Sequence, residues 1–215
     1  MSLHIPDRVI LFDYGEVISR SQSEADRREL VGLADAEPDR FWAAYWRHRD
    51  DLDQGTASIR EYWARVASDL GASWDAARVQ QLWVADYRSW ISVEPGTVEL
   101  LEELHAGGTR VALLSNAGAD FGDPFRRAPT ARFFERVFVS GELGLIKPDP
   151  EIYRHVAAEL DVPLELIVFI DNKVVNVDAA VALGCIGHHF TGVPGLRAFL
   201  TELARTAQAA EPSER

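Results

Sequence analysis

Four short apolar runs, spread along the chain, constrain its fold more than any other feature. They are rich in β-branched and aromatic residues and occupy 9–13 (VILFD), 110–115 (RVALLS), 136–140 (RVFVS) and 167–171 (IVFID). Helical patterns lie between or after them, at 97–106, 149–160, 174–183 and 194–205. Short apolar strands that alternate with helices predict an α/β fold with a parallel sheet flanked by helices.

Residues 20–90 depart from this alternation and contain no strand pattern. Four helices are predicted there, at 23–34, 38–52, 57–70 and 74–90. We therefore predict an α/β core made of 1–19 and 91–215, and a small all-helical part of residues 20–90, called the helical insertion below. All six tryptophans of the chain fall in this insertion.

The predicted helix 38–52 carries an aromatic stripe. The stripe consists of Phe41, Trp42, Tyr45 and Trp46. This helical spacing is typical of side chains that pack against a partner helix. The alternative is that one or two of the tryptophans line a substrate pocket. Residues 47–49 (RHR) follow, and they either contact an anionic substrate or form a solvated face.

Composition excludes several classes of protein. The net charge of −12 argues against a nucleic-acid partner, because such proteins need a basic surface. A single cysteine, Cys185, excludes a disulfide framework and a cysteine-based zinc site. No apolar run approaches the ~20 residues of a membrane span, and the start does not resemble a signal peptide. We expect a soluble, cytoplasmic monomer or homodimer.

The basic residues are almost all arginine. Of the 22 basic residues, only Lys147 and Lys173 are lysines. This bias, with the many alanines, is typical of a high-GC bacterial genome. A lysine retained against such a bias is a candidate for a role that a guanidinium cannot fill.

Three of the four apolar runs end in a residue suited to a site, namely Asp13, Ser115 or Asp171. Ligands of open α/β sheets bind at the carboxyl ends of strands, so these residues are site candidates. An aspartate in this position can act as a nucleophile, as in aspartyl-phosphate enzymes. The alternative for Asp13 is a turn-forming role.

Two further segments favour an anionic ligand. Ser115 and Asn116 offer a hydroxyl and an amide before a turn, which suits anionic oxygens. Asp149 is a good helix N-cap, and Pro148 keeps Lys147 out of the helix that follows. Lys147 is thereby held on a bend just before a helix.

The last run is followed by Asp171, Asn172 and Lys173. Carboxylate and amide oxygens suit Mg²⁺, which is a hard cation and prefers oxygen ligands. The alternative is a solvated loop.

These four segments, in this order, resemble the motifs of the haloacid dehalogenase superfamily. The resemblance covers residues 8–200 and implies a Rossmann-like core with an α-helical cap inserted after the first motif. It also implies a phosphatase-type hydrolase that forms an aspartyl-phosphate. The implied catalytic residues are Asp13, Ser115 and Lys147; the implied Mg²⁺ ligands are Asp13, the Gly15 carbonyl and Asp171. The candidate substrate contacts are Asn116, Asn172, Trp46 and Arg49.

The sequence departs from that pattern at two positions. Most phosphatases of the superfamily carry a second aspartate, a general acid and base, where this chain has Gly15. Asn172 stands where a second acid is usual. Since general acid catalysis is worth ~10²–10⁴ in rate, its loss favours good leaving groups, such as those of anomeric sugar phosphates or acyl phosphates. Glu16 is an alternative acid if it faces the site.

The sequence thus predicts a Mg²⁺-dependent phosphomonoester hydrolase that acts on a small phosphorylated metabolite, such as a sugar phosphate. One alternative is a catalytically weak or inactive binding protein of the same superfamily, which the departures at Gly15 and Asn172 favour. A 2-haloacid dehalogenase is a further alternative, but Asp171 argues against it. The phosphonatases of the superfamily use a cap lysine, and residues 20–90 contain none.

Overall fold

The computed structural model describes residues 2–210, and its centre is a five-stranded sheet in the order β3-β2-β1-β4-β5. Every pair of neighbouring strands is parallel. The strands are β1 (Val9–Phe12), β2 (Arg110–Ser115), β3 (Arg136–Val139), β4 (Ile167–Asp171) and β5 (Ile186–His189). The predicted α/β class with a parallel sheet is confirmed.

The register places the predicted site residues together at the carboxyl end of the sheet. In β1, Phe12 pairs with Leu113 of β2 on one side and with Ile170 of β4 on the other. Asp13 follows directly, and its backbone N–H donates to the Ile170 carbonyl at 2.8 Å. The carboxyl ends of β1, β2 and β4 therefore meet.

Successive side chains of the central strand face opposite sides of the sheet, and each side is covered by helices. Ile10 and Phe12 pack with Leu100 of α6 (Pro95–Ala106) and Leu196 of α11 (Val193–Ala210). On the other face, Val9 and Leu11 lie in a separate apolar cluster. The helices on that side are α9 (Pro150–Leu160) and α10 (Val174–Ala182). Burial on both faces explains why the central strands are apolar throughout.

Several elements differ from the sequence expectation. β5 was not among the apolar runs because only Ile186 in it is strongly apolar, and the short helices α7 (Gly122–Arg127) and α8 (Ser140–Leu143) lack a long periodic pattern. Helix α11 continues to Ala210, beyond the predicted end at 205. No helix in the part of the chain between 2 and 210 is long and apolar enough to cross a membrane.

The helical insertion contains five helices with an apolar cluster of their own. They are α1 (Glu24–Ala34), α2 (Pro38–Arg47), α3 (Arg49–Asp53), α4 (Ile59–Leu70) and α5 (Ala76–Trp90). Phe41 and Tyr45 of the predicted stripe are fully buried against Trp63 and Leu82 of other helices. The division of the chain into a core and an insertion stays a prediction.

One helix prediction in the insertion is wrong. The expected single helix 38–52 is interrupted at His48, whose backbone (φ −109°, ψ 3°) ends α2 before α3 starts. After this break, the Arg49 side chain lies in the interior of the insertion and contacts buried carboxylates.

The insertion contacts the sheet end through α3 and the turn after it. The Ser140 hydroxyl at the start of α8 donates to the Asp53 carbonyl. The chain then passes so close to α8 that a Cβ on Gly55 would lie 2.4 Å from the Gly141 carbonyl oxygen. Gly55 also has φ +78°, which disfavours any side chain.

We expect Gly55→Ala to destabilise the protein more than Gly71→Ala. Both glycines have positive φ, which costs about 1–2 kcal/mol for alanine, but only Gly55 lacks space. Overpacking adds about 1–3 kcal/mol at Gly55. Urea unfolding of the two variants measures the difference. Equal losses of unfolding free energy would show that the contact of Gly55 with Gly141 is unimportant.

Candidate active site

A buried lysine joins the ends of three strands. The Lys147 ammonium donates to Asp13 Oδ1 at 2.6 Å, Asp171 Oδ2 at 2.8 Å and the Leu114 carbonyl at 3.1 Å. These bonds use the three donors of an ammonium group. A planar guanidinium could not reproduce this compact arrangement, which explains a lysine in an arginine-rich chain.

Asn116 holds the backbone of that lysine from both sides. Its side-chain amide donates to the Lys147 carbonyl at 2.9 Å, and its Oδ1 accepts from the Lys147 N–H at 3.0 Å. The Lys147–Pro148 peptide is cis. Asp149 caps α9 as predicted, by accepting from the Glu151 N–H at 2.9 Å. Asn116 thus positions Lys147.

Asp171 is fully buried and held by several donors. Besides Lys147, Asn176 donates to its Oδ2 at 2.9 Å, and the Lys173 N–H donates to its Oδ1 at 2.7 Å. The alternative of a solvated loop does not apply to Asp171. The orientation of its carboxylate is therefore set by the first turn of α10.

Burial and the charge of Lys147 shift the pKa of Asp13 in opposite directions. Burial raises the pKa of Asp13 to about 6; Lys147 counteracts part of this rise, and Asp171 adds to it. Burial alone would lower the pKa of Lys147, but Asp13 and Asp171 outweigh it, so this pKa is raised. At pH 7 Lys147 is charged and Asp13 is mostly ionised.

Asp13 and Lys147 border a cavity of about 420 Å³ between the sheet and the helical insertion, and Asp171 lies buried behind them. The cavity is lined by Asp13, Gly15, Ser115, Asn116 and Lys147. A Cβ on Gly15 would lie 3.9 Å from Asp13 Oδ2, so the Gly15 backbone is next to that carboxylate. The structure thus brings together the residues of all four sequence motifs.

Asn172 and Glu16 lie at the same cavity and bind each other. The Asn172 amide donates to Glu16 Oε2 at 2.8 Å. The backbone of Glu16 is left-handed, with φ 58°. The backbone carbonyl of Asn172 accepts a hydrogen bond from His189 Nε2 at 3.0 Å. Glu16 therefore faces the cavity, and its carboxylate is engaged by Asn172.

The two candidate substrate contacts from the insertion have different environments. The Trp46 side chain is exposed and lines the cavity. Arg49 also borders the cavity, but it is 7% exposed and bonds to Asp53 Oδ1 and Asp86 Oδ2, both at 2.9 Å, and to the Tyr45 hydroxyl at 2.6 Å. The expectation of a solvated face is wrong for Arg49, because buried carboxylates hold its guanidinium.

Sequence reasoning missed several residues of the cavity. Phe121 and Phe125 are spaced by one helical turn directly after the Ser115 motif, and that spacing could have indicated them. Asp86, which anchors Arg49, lies far from it in the sequence, and no local pattern points to the pair.

The fold and the site agree with the similarity to known proteins. A model of haloacid dehalogenase-like hydrolases matches residues 8–184. The chain belongs to this family. It is accordingly an enzyme of the hydrolase class, with the α/β fold of haloacid dehalogenase-like proteins.

Two curated relatives come from fungi. A drimenol cyclase of Aspergillus calidoustus is 25% identical over 182 residues, which are 82% of this chain and 33% of the relative. A sesquiterpene phosphatase of Aspergillus oryzae is 37% identical over 93 residues, 43% of this chain and 47% of the relative. The chain thus spans a third to a half of the length of these proteins.

Solved structures share the fold. A haloacid dehalogenase-family enzyme from Bacteroides thetaiotaomicron superposes with a TM-score of 0.69 at 20% identity, covering 84% of this chain and 92% of the other. The same enzyme in complex with magnesium and inorganic phosphate gives a TM-score of 0.64. A family member from Porphyromonas gingivalis gives 0.67 at 22% identity, covering 90% and 97%.

The residues at the strand ends fit a magnesium ion by their chemistry. Asp13 and Asp171 bind one ammonium and so lie close together, and the Gly15 backbone adjoins Asp13. Carboxylate and carbonyl oxygens are the ligands that Mg²⁺ prefers. Within residues 2–210 no three His, Cys, Asp or Glu side chains cluster for a metal. The predicted set therefore depends on the Gly15 carbonyl and on water.

We expect Lys147→Met to lower the free energy of unfolding by about 3–5 kcal/mol, because Asp13 and Asp171 would remain buried without their cation. Asp13→Asn, added to Lys147→Met, should recover part of this loss by removing one carboxylate. Denaturant unfolding in EDTA measures both. Lys173→Met is the matched control, since Lys173 is exposed; a similar loss there would contradict the interpretation.

The buried Asp53 should make stability depend on pH. Burial raises the pKa of Asp53 to about 6, although Arg49 opposes the shift. The folded state then binds more protons than the unfolded state between about pH 4 and 6, so the contribution of Asp53 to stability falls as pH rises through this range. Relative to Asp53→Asn, the free energy of unfolding of the parent protein should fall by up to about 3 kcal/mol between pH 4 and 7.

Unfolding of both proteins as a function of pH measures this change. Asp50→Asn, which alters an exposed carboxylate of the same helix, serves as the control. Parallel pH profiles of the parent and Asp53→Asn would contradict the prediction.

Proposed function

We propose that the chain is a Mg²⁺-dependent phosphomonoester hydrolase with Asp13 as its nucleophile. The observation that carries the proposal is the buried Asp13 carboxylate at the cavity, paired with Lys147 and next to Asp171. The sesquiterpene phosphatase among the relatives supports a phosphatase, and the family member crystallised with magnesium and phosphate supports the metal.

The reaction would proceed in two displacements at phosphorus. A carboxylate oxygen of Asp13 attacks, the bond from phosphorus to the ester oxygen breaks, and the departing alkoxide takes a proton from water. Water then attacks the phosphorus of the aspartyl-phosphate, which releases inorganic phosphate and restores the Asp13 carboxylate. Each displacement is a transfer of the phosphoryl group, and no redox partner is needed.

The neighbouring groups would lower the charge barrier to this attack. An anionic carboxylate and an anionic phosphate repel each other, and the Lys147 ammonium reduces that repulsion. The Ser115 hydroxyl at the end of β2 can donate to a phosphoryl oxygen. Mg²⁺ held by Asp13, Asp171 and the Gly15 carbonyl would supply further positive charge. Phosphoryl transfer depends mainly on such positioning and charge neutralisation.

Gly15 leaves the departing alcohol without the usual acid. Glu16 faces the cavity, but its carboxylate already accepts a hydrogen bond from the Asn172 side-chain amide. The proposed enzyme should therefore favour esters with good leaving groups. The small phosphorylated metabolite of the sequence analysis, with a sugar phosphate as one example, belongs to this proposal.

The deciding experiment is hydrolysis of p-nitrophenyl phosphate, whose good leaving group makes an acid unnecessary. We expect turnover that requires Mg²⁺, is lost in EDTA and falls by at least about 10³-fold in Asp13→Asn, because the nucleophile is gone. Asp123→Asn, the same chemical change at an exposed carboxylate, should retain activity. Absence of turnover in the parent protein with Mg²⁺ would reject the hydrolase and favour the inactive binding protein.

A further inference from the structure

The cavity has an aromatic lining contributed by both parts of the chain. From the core come Tyr14, Phe121 and Phe125; the Tyr14 and Phe125 rings have centroids 4.2 Å apart, and those of Phe121 and Phe125 are 5.4 Å apart. From the insertion come Trp46 and Trp90, 6.4 Å apart.

The buried polar side chains that the insertion places at the cavity are bonded within the protein. Arg49 is held by Asp53 and other buried groups. Gln22 donates to the Ser89 hydroxyl at 2.8 Å, and the Trp90 indole N–H donates to the Tyr45 hydroxyl. These bonds engage Arg49 Nε and Nη1, one N–H of the Gln22 amide and the Trp90 indole N–H before any ligand arrives.

Two further polar side chains of the insertion lie at the rim of the cavity. Ser21 and Arg27 are exposed, and the Arg27 guanidinium carbon lies 4.1 Å from the centroid of the Trp42 ring. By contrast, Asp13, Ser115 and Lys147 are buried polar groups at the strand ends. The polar chemistry of the cavity is concentrated where a phosphoryl group would bind.

We infer that the substrate is a phosphomonoester of an apolar alcohol that is a good leaving group, such as a phenol, rather than of a polyol; this rests on the proposed function. An apolar group buried against Trp46, Phe121 and Phe125 gains about 0.8 kcal/mol per methylene and needs no hydrogen-bond partner. The volume of about 420 Å³ lies within the usual range of small-molecule sites.

A sugar would fit this lining less well. Aromatic rings can stack on sugars, but each buried hydroxyl that lacks a partner costs about 1–3 kcal/mol. The bonded donors of Arg49, Gln22 and Trp90 could serve a sugar only by giving up their present bonds. This part of the network thus disfavours hydroxyl groups.

Two esters separate these chemistries. Hexyl phosphate and glucose 6-phosphate have equal numbers of carbons and carry the phosphate on a primary carbon, but only one has hydroxyls along its chain. Calorimetry on Asp13→Asn with Mg²⁺, where neither ester should be consumed, and on the parent protein in EDTA measures binding without turnover. We expect hexyl phosphate to bind at least about tenfold more tightly in both.

Two tryptophan variants show whether the cavity causes the preference. Trp46→Ala removes an aromatic ring from the cavity and should reduce the affinity ratio at least about threefold. Trp74→Ala removes an insertion tryptophan that does not line this cavity, and should leave the ratio unchanged. Thermal unfolding monitored by circular dichroism confirms that each variant is folded.

Equal affinities, tighter binding of glucose 6-phosphate, or no binding of either ester would overturn the inference. A preference that Trp46→Ala and Trp74→Ala change alike would also overturn it, since the cavity would not be its source. The proposed function fails separately, through absence of p-nitrophenyl phosphate hydrolysis. The two failures are therefore distinguishable, because the binding measurement requires no catalysis.

Discussion

The buried ammonium of Lys147 is the interaction on which the rest of the site depends. It ties together the carboxyl ends of β1, β2 and β4 through Asp13, Leu114 and Asp171. Two carboxylates could not be buried side by side without it, because an isolated buried charge is very costly. The same ion that permits this burial opposes the rise that burial causes in the pKa of Asp13, so the stability of the sheet end and the charge state of this carboxylate have one cause.

A second buried charge organises the helical insertion in a similar way. Arg49 is held by Asp53 of its own helix and by Asp86 of α5. The Asp53 carbonyl in turn accepts from Ser140 at the sheet end. The network therefore links the interior of the insertion to its contact with the core. Arg49 borders the cavity, but its guanidinium is thereby paired with carboxylates of the insertion.

The parts of the fold predicted from the sequence are those determined by local pattern. Apolar runs that end in Asp13, Ser115 and Asp171 predict strands whose carboxyl ends meet, because neighbouring parallel strands finish at the same end of the sheet. β5 escaped prediction because its burial is partial and its residues are not distinctly apolar. The environment of Arg49 escaped it for another reason. Its partner Asp86 is distant in sequence, and a local pattern carries no information on which buried charges will meet.

The two buried networks leave different kinds of surface at the cavity. At the strand ends, polar groups are concentrated on one small region that suits an anion. In the insertion, Arg49 is paired with Asp53 and Asp86, and the rings of Trp46 and Trp90 line the cavity beside it. Charge at one region and apolar surface around it is the pattern that suits an amphiphilic ester. Selectivity would then arise as much from hydrogen bonds that are already made as from the rings themselves, because those bonds make hydroxyl groups costly to bury.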